Sequence, residues 1–205
     1  MIYLITDRRA LRDPTWAAQL QLIEYAAALG VRLIQIREKD VSANELAGFA
    51  RQAIAVARPH GARILINDRV DVALAVNADG VHLRVTSLPI ATVRQLVPRD
   101  FLIGVSTHSL AEARAAQDGG AHFVTCGPVY ETPSKQADGA PLGLAAFRAI
   151  AQTLTLPVYA LGGINATNFR EPLQHGAAGI AAIRLWQNTE CLAALVTALQ
   201  PVKHD

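Results

Sequence analysis

The sequence predicts a single-domain α/β protein, a (β/α)8 TIM barrel over residues 1–205, with a doubly wound open sheet as the alternative architecture. Three observations lead there. Short β-branched runs recur eight times, each is followed by an amphipathic stretch of helical spacing, and each run is apolar almost throughout, as a parallel strand covered on both faces must be. No composition shift or Ser/Pro-rich linker divides the chain, and 205 residues sit at the low end for such a barrel, which requires short connections.

Ile2–Thr6 is the first expected strand and Trp16–Leu29 the first helix. Arg32–Ile36 then leads to Ala43–Ala57, Arg63–Ile66 to Asp68–Val76, and Gly80–Leu83 to Ile90–Leu96. In the second half Phe101–Val105 leads to Ser109–Asp118, His122–Cys126 to Leu144–Thr153, Pro157–Leu161 to Thr167–His175, and Gly179–Ile183 to Cys191–Leu199. Gly30, Gly61, Gly80, Gly120 and Gly176 stand between a helical pattern and a strand, where a left-handed residue ends a helix. The one long connection runs from Gly127 to Pro141.

Composition narrows the function classes. Lys+Arg 19 against Asp+Glu 17 leaves a net charge of +2, with no basic stripe for nucleic acid and no acidic tail. No apolar run is long enough to span a bilayer, and the amino terminus lacks the charged, apolar and small-residue series of a secretory signal. Cys126 and Cys191 form no CxxC and no disulfide framework, so a reducing cytoplasm is expected. Trp16 and Trp186 are too few and too separate for a base-stacking platform.

Functional groups in a barrel of this kind collect after the carboxyl ends of the strands. There the second run places Gln35, Arg37 and Lys39 at alternate positions, so a strand would aim an amide and two cations in one direction. That set suits a phosphorylated or pyrophosphorylated small molecule; a solvated strand end is the other reading. Thr6 and Asp7 follow the first run, and Asn67, Asp68 and Arg69 the third. Asn67 and Asp68 either cap the helix beginning at Arg69 or, with the Asp68 carboxylate beside an anion site, hold a Mg2+ that bridges phosphate oxygens, and the two roles are compatible. Gly162-Gly163 after the seventh run is a tight turn whose bare N–H groups suit a phosphate. Lys135 in the long loop is either solvated or closes over reacting phosphates. His60, His82, His108 and His122 are scattered without metal-ligand spacing, and Cys126 reads as a small buried hydrophobe.

Taken together, Gln35-Ile36-Arg37-Glu38-Lys39, Ile66-Asn67-Asp68-Arg69, Gly80-Val81-His82-Leu83, Ile103-Gly104-Val105-Ser106, Gly127-Pro128-Val129-Tyr130-Glu131-Thr132-Pro133-Ser134-Lys135 and Gly162-Gly163-Ile164 resemble the thiamine phosphate synthase family, which includes the thiazole tautomerases. The likeness runs from Tyr3-Leu4-Ile5-Thr6-Asp7 to the last strand. It implies a (β/α)8 barrel, Mg2+ as cofactor, and the joining of hydroxymethylpyrimidine diphosphate to thiazole phosphate to give thiamine phosphate and pyrophosphate. It further implies that Arg37, Lys39, Asn67 and Lys135 hold the diphosphate, that Gln35 lines the pyrimidine pocket, and that Asp68 binds Mg2+. Ser106 is implied to face the pyrimidine and its leaving group, Thr132 and Ser134 the thiazole phosphate side, and Gly163 to give its N–H to that phosphate. Relatives are often homodimers, and the Ala-rich helices offer a surface for pairing.

Three departures stand out. Where the synthases continue Gly-Gln-x-Asp after His-Leu, with the Asp as second Mg2+ ligand, this chain has Arg84-Val85-Thr86-Ser87, so Ser87 is expected as a weak ligand at most and Arg84 as a source of part of the missing positive charge. Arg184 replaces the usual Ser at the end of the eighth strand, where it either serves a phosphate or blocks the pocket. His122 stands where an acidic residue is common. The alternatives to a synthase are a cofactor-free thiazole tautomerase and a non-catalytic phosphate-ligand sensor. Marked tautomerases carry a His where this chain has Pro128, and often lose the pyrimidine-side Gln, Lys and Asp that stand here as Gln35, Lys39 and Asp68.

Overall fold

A strand buried on both faces still has two edges to satisfy, and the eight short runs meet that demand by closing on one another. The structure, a computed structural model, describes residues 1–132, 140–187 and 189–199. Among these residues the strands are β1 (Ile2–Ile5), β2 (Leu33–Ile36), β3 (Arg63–Asn67), β4 (Gly80–Leu83), β5 (Leu102–Thr107), β6 (Phe123–Cys126), β7 (Val158–Leu161) and β8 (Gly179–Ala182). Each pairs parallel with the next, and β8 returns to β1 through Ile2↔Ile180, Tyr3↔Ala181 and Leu4↔Ala182. The closed barrel, and not the open sheet, is therefore the architecture, and every expected strand lies within two residues of its observed bounds.

The helices between them are α1 (Trp16–Leu29), α2 (Ala43–Ala57), α3 (Val70–Ala75), α4 (Ile90–Leu96), α5 (Leu110–Asp118), α6 (Gly143–Thr153), α7 (Glu171–Gln174) and α8 (Thr189–Leu199). Side chains supply the start signals: Thr15 accepts from Ala18 N–H, Ser42 and Glu45 form a reciprocal capping box, and Ser109 accepts from Glu112 N–H. The expected helix over 167–175 shrinks to Glu171–Gln174. Asn165 Oδ1 takes the Thr167 and Asn168 N–H groups, a local turn that competes with helix over the preceding residues. Gly30, Gly61, Gly120 and Gly176 are left-handed as expected, but Gly80 is not. It lies inside β4, where a Cβ would come within 2.4 Å of the Leu102 carbonyl oxygen, so close strand approach explains it.

Two apolar layers result. The larger packs the outward faces of the strands against the helices and includes Ile34, Ile66, Val81, Ile103, Cys126 and Trp186. The smaller fills the barrel with Tyr3, Ile5, Leu33, Leu65, Phe123, Tyr159 and Ala181. Its rings meet edge to face: Tyr3 lies 5.3 Å from Phe123 and 5.9 Å from Tyr159, and Phe123 lies 5.4 Å from Tyr159. Such pairs add about 0.5–1.5 kcal/mol each beyond area burial. Glycine makes the room, since a Cβ on Gly104 would stand 2.3 Å from Phe123 and 2.7 Å from the His82 ring. Gly104→Ala is accordingly expected to cost about 1–3 kcal/mol through overpacking, read as a lower urea midpoint with an unchanged m-value.

Candidate active site at the carboxyl ends of the strands

The side chains at the barrel mouth are positioned by buried polar groups beneath them. Glu38 is the first of these. Its carboxylate is fully buried, accepts from Thr6 Oγ1 at 2.7 Å and takes the Arg8 backbone N–H on both oxygens at 3.2 and 3.1 Å. Burial raises its pKa, and the bonds from Thr6 and Arg8 oppose that rise. Thr6 Oγ1 in turn accepts from Arg37 N–H at 2.9 Å, so the ends of β1 and β2 are tied together and the Arg37 backbone is held. The Arg37 guanidinium lies 3.9 Å from Asp7; desolvation lowers its pKa, Asp7 and Glu38 oppose this, and the charges of Arg9 and Arg84 add to the lowering.

Strand β2 stops at Ile36, so its alternation carries Gln35 into the barrel, Arg37 follows half-buried, and Lys39 lies exposed in the bend beyond. Gln35 is buried and donates its amide to Asn67 Oδ1 at 3.0 Å, which joins the ends of β2 and β3. Asp68 does not cap a helix. It is left-handed at φ 62°, α3 starts only at Val70, and Arg69 is the unbonded cap. The carboxylate is used elsewhere: one oxygen accepts from the Arg84 guanidinium and the other from the Ser87 hydroxyl. Ser87 Oγ also accepts from Arg84 N–H at 2.8 Å, which closes a ring of three bonds across the ends of β3 and β4.

His82 is the group that sequence reading passed over. It points into the barrel from β4, is 2 % exposed, and lies 3.0 Å from the Tyr3 hydroxyl at Nδ1 and 2.9 Å from Ser106 Oγ at Nε2. Desolvation, helped by Arg37, lowers its pKa to about 3, so the imidazole is neutral. A neutral ring donates from one nitrogen and accepts at the other. In the tautomer in which Tyr3 O–H donates to Nδ1, Nε2–H would donate to Ser106 and leave the serine hydroxyl able to donate to a bound ligand. The signal was register, because Gly80 and His82 share the inward face of β4 and His82 is paired with Asn67.

On the other side of the mouth, Gly162 and Gly163 are both left-handed, and a Cβ on Gly163 would stand 2.6 Å from the Glu131 carbonyl oxygen. Asn168 Nδ2 donates to the Gly163 carbonyl at 3.1 Å, and Tyr130 O–H donates to Glu171 at 2.7 Å. Thr132 is half-buried at the start of the long loop; Ser134 and Lys135 lie outside the described residues. Arg184 is exposed in a 3-10 turn, Arg184–Gln187, directly after β8. Far from this mouth, at the amino ends of the strands, His122 Nδ1 accepts from Ile103 N–H at 3.1 Å. Asp79 does the same for Ile64 N–H at 2.8 Å, so a ring nitrogen and a carboxylate play the same part near the amino ends of β5 and β3. A cavity of about 420 Å³ lined by Arg63, Asn77, Asp79 and Asp100 also opens at that end.

A closed parallel barrel with arginines and amides gathered at its carboxyl end defines the class, an α/β-barrel enzyme. The family model for thiamine monophosphate synthase matches residues 2–185, and the chain belongs to that family. A relative from Geobacter sulfurreducens is 48% identical over 184 residues, covering 89% of this chain and 84% of its own. The thiamine-phosphate synthase of Methanospirillum hungatei is 41% identical over 182 residues, covering 89% and 87%. Among solved structures, thiamine phosphate pyrophosphorylase from Pyrococcus furiosus superposes with a TM-score of 0.83 at 34% identity, covering 98% of this chain and 96% of that one.

The His82 environment has a pH signature. Its pKa is 6.5 when unperturbed and about 3 in the fold, so below pH 6.5 the unfolded chain takes up a proton that the folded chain refuses. Stability from this group is therefore complete above pH 6.5 and is lost as pH falls toward 3. Nitrogen chemical shifts of His82 are expected to show a neutral ring at pH 5; a ring titrating near its unperturbed value would contradict the buried chain through Tyr3 and Ser106.

Proposed function

We infer that this protein is a thiamine-phosphate synthase, a transferase that couples hydroxymethylpyrimidine diphosphate with thiazole phosphate to give thiamine phosphate and pyrophosphate. The observation that carries the reading is the family match over residues 2–185, laid on a barrel whose mouth holds Gln35, Arg37, Asn67 and Ser106 at the ends of β2, β3 and β5. The chain acts as one barrel domain, with small phosphorylated molecules as its substrates; a cytoplasmic setting and a homodimer belong to the same proposal.

In this reading the methylene carbon–oxygen bond of the pyrimidine diphosphate breaks with both electrons leaving on pyrophosphate. The thiazole nitrogen lone pair then forms the carbon–nitrogen bond. No proton has to move, so the protein needs no nucleophile and no general base; it must hold developing negative charge and orient two rings. Arg37 and Lys39 supply charge for the leaving group, with Lys135 added from the long loop. Gln35, held by Asn67, and Ser106, held by neutral His82, present amide and hydroxyl groups to the pyrimidine. Thr132, Ser134, the Gly163 N–H and Arg184 receive the thiazole phosphate.

Mg2+ belongs to the family chemistry, and Asp68 is the residue on which it would depend. The donor set here does not fit a resident ion well. Both Asp68 oxygens are bonded to donors, one of them a guanidinium, and Ser87 Oγ, used twice, offers a neutral oxygen in place of a second carboxylate. Whatever ion the diphosphate brings, the protein's own charge at this point is Arg84.

Purified protein mixed with both substrates is expected to form thiamine phosphate, and failure to form it under any Mg2+ concentration would remove the synthase reading. Arg37→Ala is expected to lower kcat/KM by about 3 kcal/mol, on the order of a hundredfold, the scale of losing a preorganised charge at a shielded site. Unchanged turnover in that variant would take Arg37 out of the site.

A further inference from the structure

We propose that Arg84 is the built-in cation of this mouth, holding the pyrophosphate leaving group through its guanidinium at the place where a protein-bound divalent ion would otherwise sit. The proposal rests on the synthase reading above and assigns a residue to its leaving-group step.

Three observations carry it. First, the Arg84 segment is anchored at both ends. Its backbone N–H is bonded to Ser87 Oγ, its guanidinium to Asp68, and Ser87 joins the two by donating to the same carboxylate. Asp68 itself is held by its N–H on the His82 carbonyl at 2.8 Å. A divalent ion at Asp68 would have to displace a fixed positive charge and then remain beside it, with Ser87 as a neutral donor in place of a second carboxylate.

Second, the guanidinium is only partly used. One of its N–H groups is on Asp68, and the side chain is 55% exposed, so most of its five donors stay open to an incoming anion. A guanidinium stays charged at any working pH and can meet a phosphate with two parallel bonds. Third, Arg84 and Arg37 follow β4 and β2 on the same carboxyl-end rim of the barrel, with Asp68 bonded to Arg84 and Asp7 3.9 Å from Arg37. A pyrophosphate lying over this rim would take both guanidinium groups. As the carbon–oxygen bond breaks and both electrons pass to the leaving oxygen, Arg84 neutralises the growing charge without giving up a proton.

The test is binding of inorganic pyrophosphate by calorimetry in buffer with EDTA and in buffer with Mg2+, together with binding of Mn2+ alone followed by electron paramagnetic resonance. The wild type is expected to bind pyrophosphate without metal and to bind Mn2+ poorly. Arg84→Gln is expected to weaken metal-free pyrophosphate binding roughly tenfold or more, the scale of a lost charge-assisted bond, with Arg84→Lys intermediate because it keeps the charge and loses the fork. Pyrophosphate binding that appears only with Mg2+, or that is unchanged in Arg84→Gln, overturns the role of Arg84 and leaves the synthase reading standing. Absence of pyrophosphate binding in both buffers overturns both.

Discussion

The interior of a closed eight-stranded barrel has to be filled, and here four rings on four different strands fill it. Tyr3, His82, Phe123 and Tyr159 come from β1, β4, β6 and β7, with centroids 5.3 to 5.9 Å apart where they meet. Glycines sit beside the rings: a Cβ on Gly104 would stand 2.3 Å from Phe123, and one on Gly179 would stand 2.1 Å from the Met1 carbonyl oxygen and 2.9 Å from Tyr159. The layer closes the barrel to water from below, and every polar group above it inherits a low dielectric on one side.

That floor determines the chemistry of the mouth. His82 belongs to the aromatic layer by packing and to the site by hydrogen bonding, so the burial that keeps it neutral is also what aligns Ser106. Charges could not be placed at such a rim without fixed partners, and the fold supplies a buried carboxylate at one point and a bonded one at another. Glu38 ties the β1 and β2 ends through Thr6 and Arg8, and Asp68 ties the β3 and β4 ends through Arg84 and Ser87. The arginines at the rim are thereby held in place, and electrostatic stabilisation of a departing anion depends on groups that need not reorganise.

Much of this was legible beforehand. Apolar runs and helical spacing are local properties, and the family motifs are contiguous, so the barrel, its strands and the residues gathered at their ends could be read directly. The reading failed where a residue's role came from a distant partner. Asp68 looked like a helix cap, yet its left-handed backbone turns the carboxylate toward Arg84 and Ser87. Gly80 looked like a helix terminator and is a contact point between strands. The role of His122 lies in its ring accepting Ile103 N–H, as Asp79 accepts Ile64 N–H, and in neither pair is the partner near in sequence.

The sequence by itself determined the fold class, the order of elements and the family, because periodicity and motif order are written along the chain. Only the tertiary structure decided the electrical state of the mouth. The bond from Tyr3 to His82 spans 79 residues and that from Arg84 to Asp68 spans 16, and pKa, donor direction and ion pairing depend on distance and burial in space. That the end of β4 carries Arg84 and Ser87 and no second carboxylate is written in the sequence; that both are bonded to the Asp68 carboxylate is a property of the closed barrel.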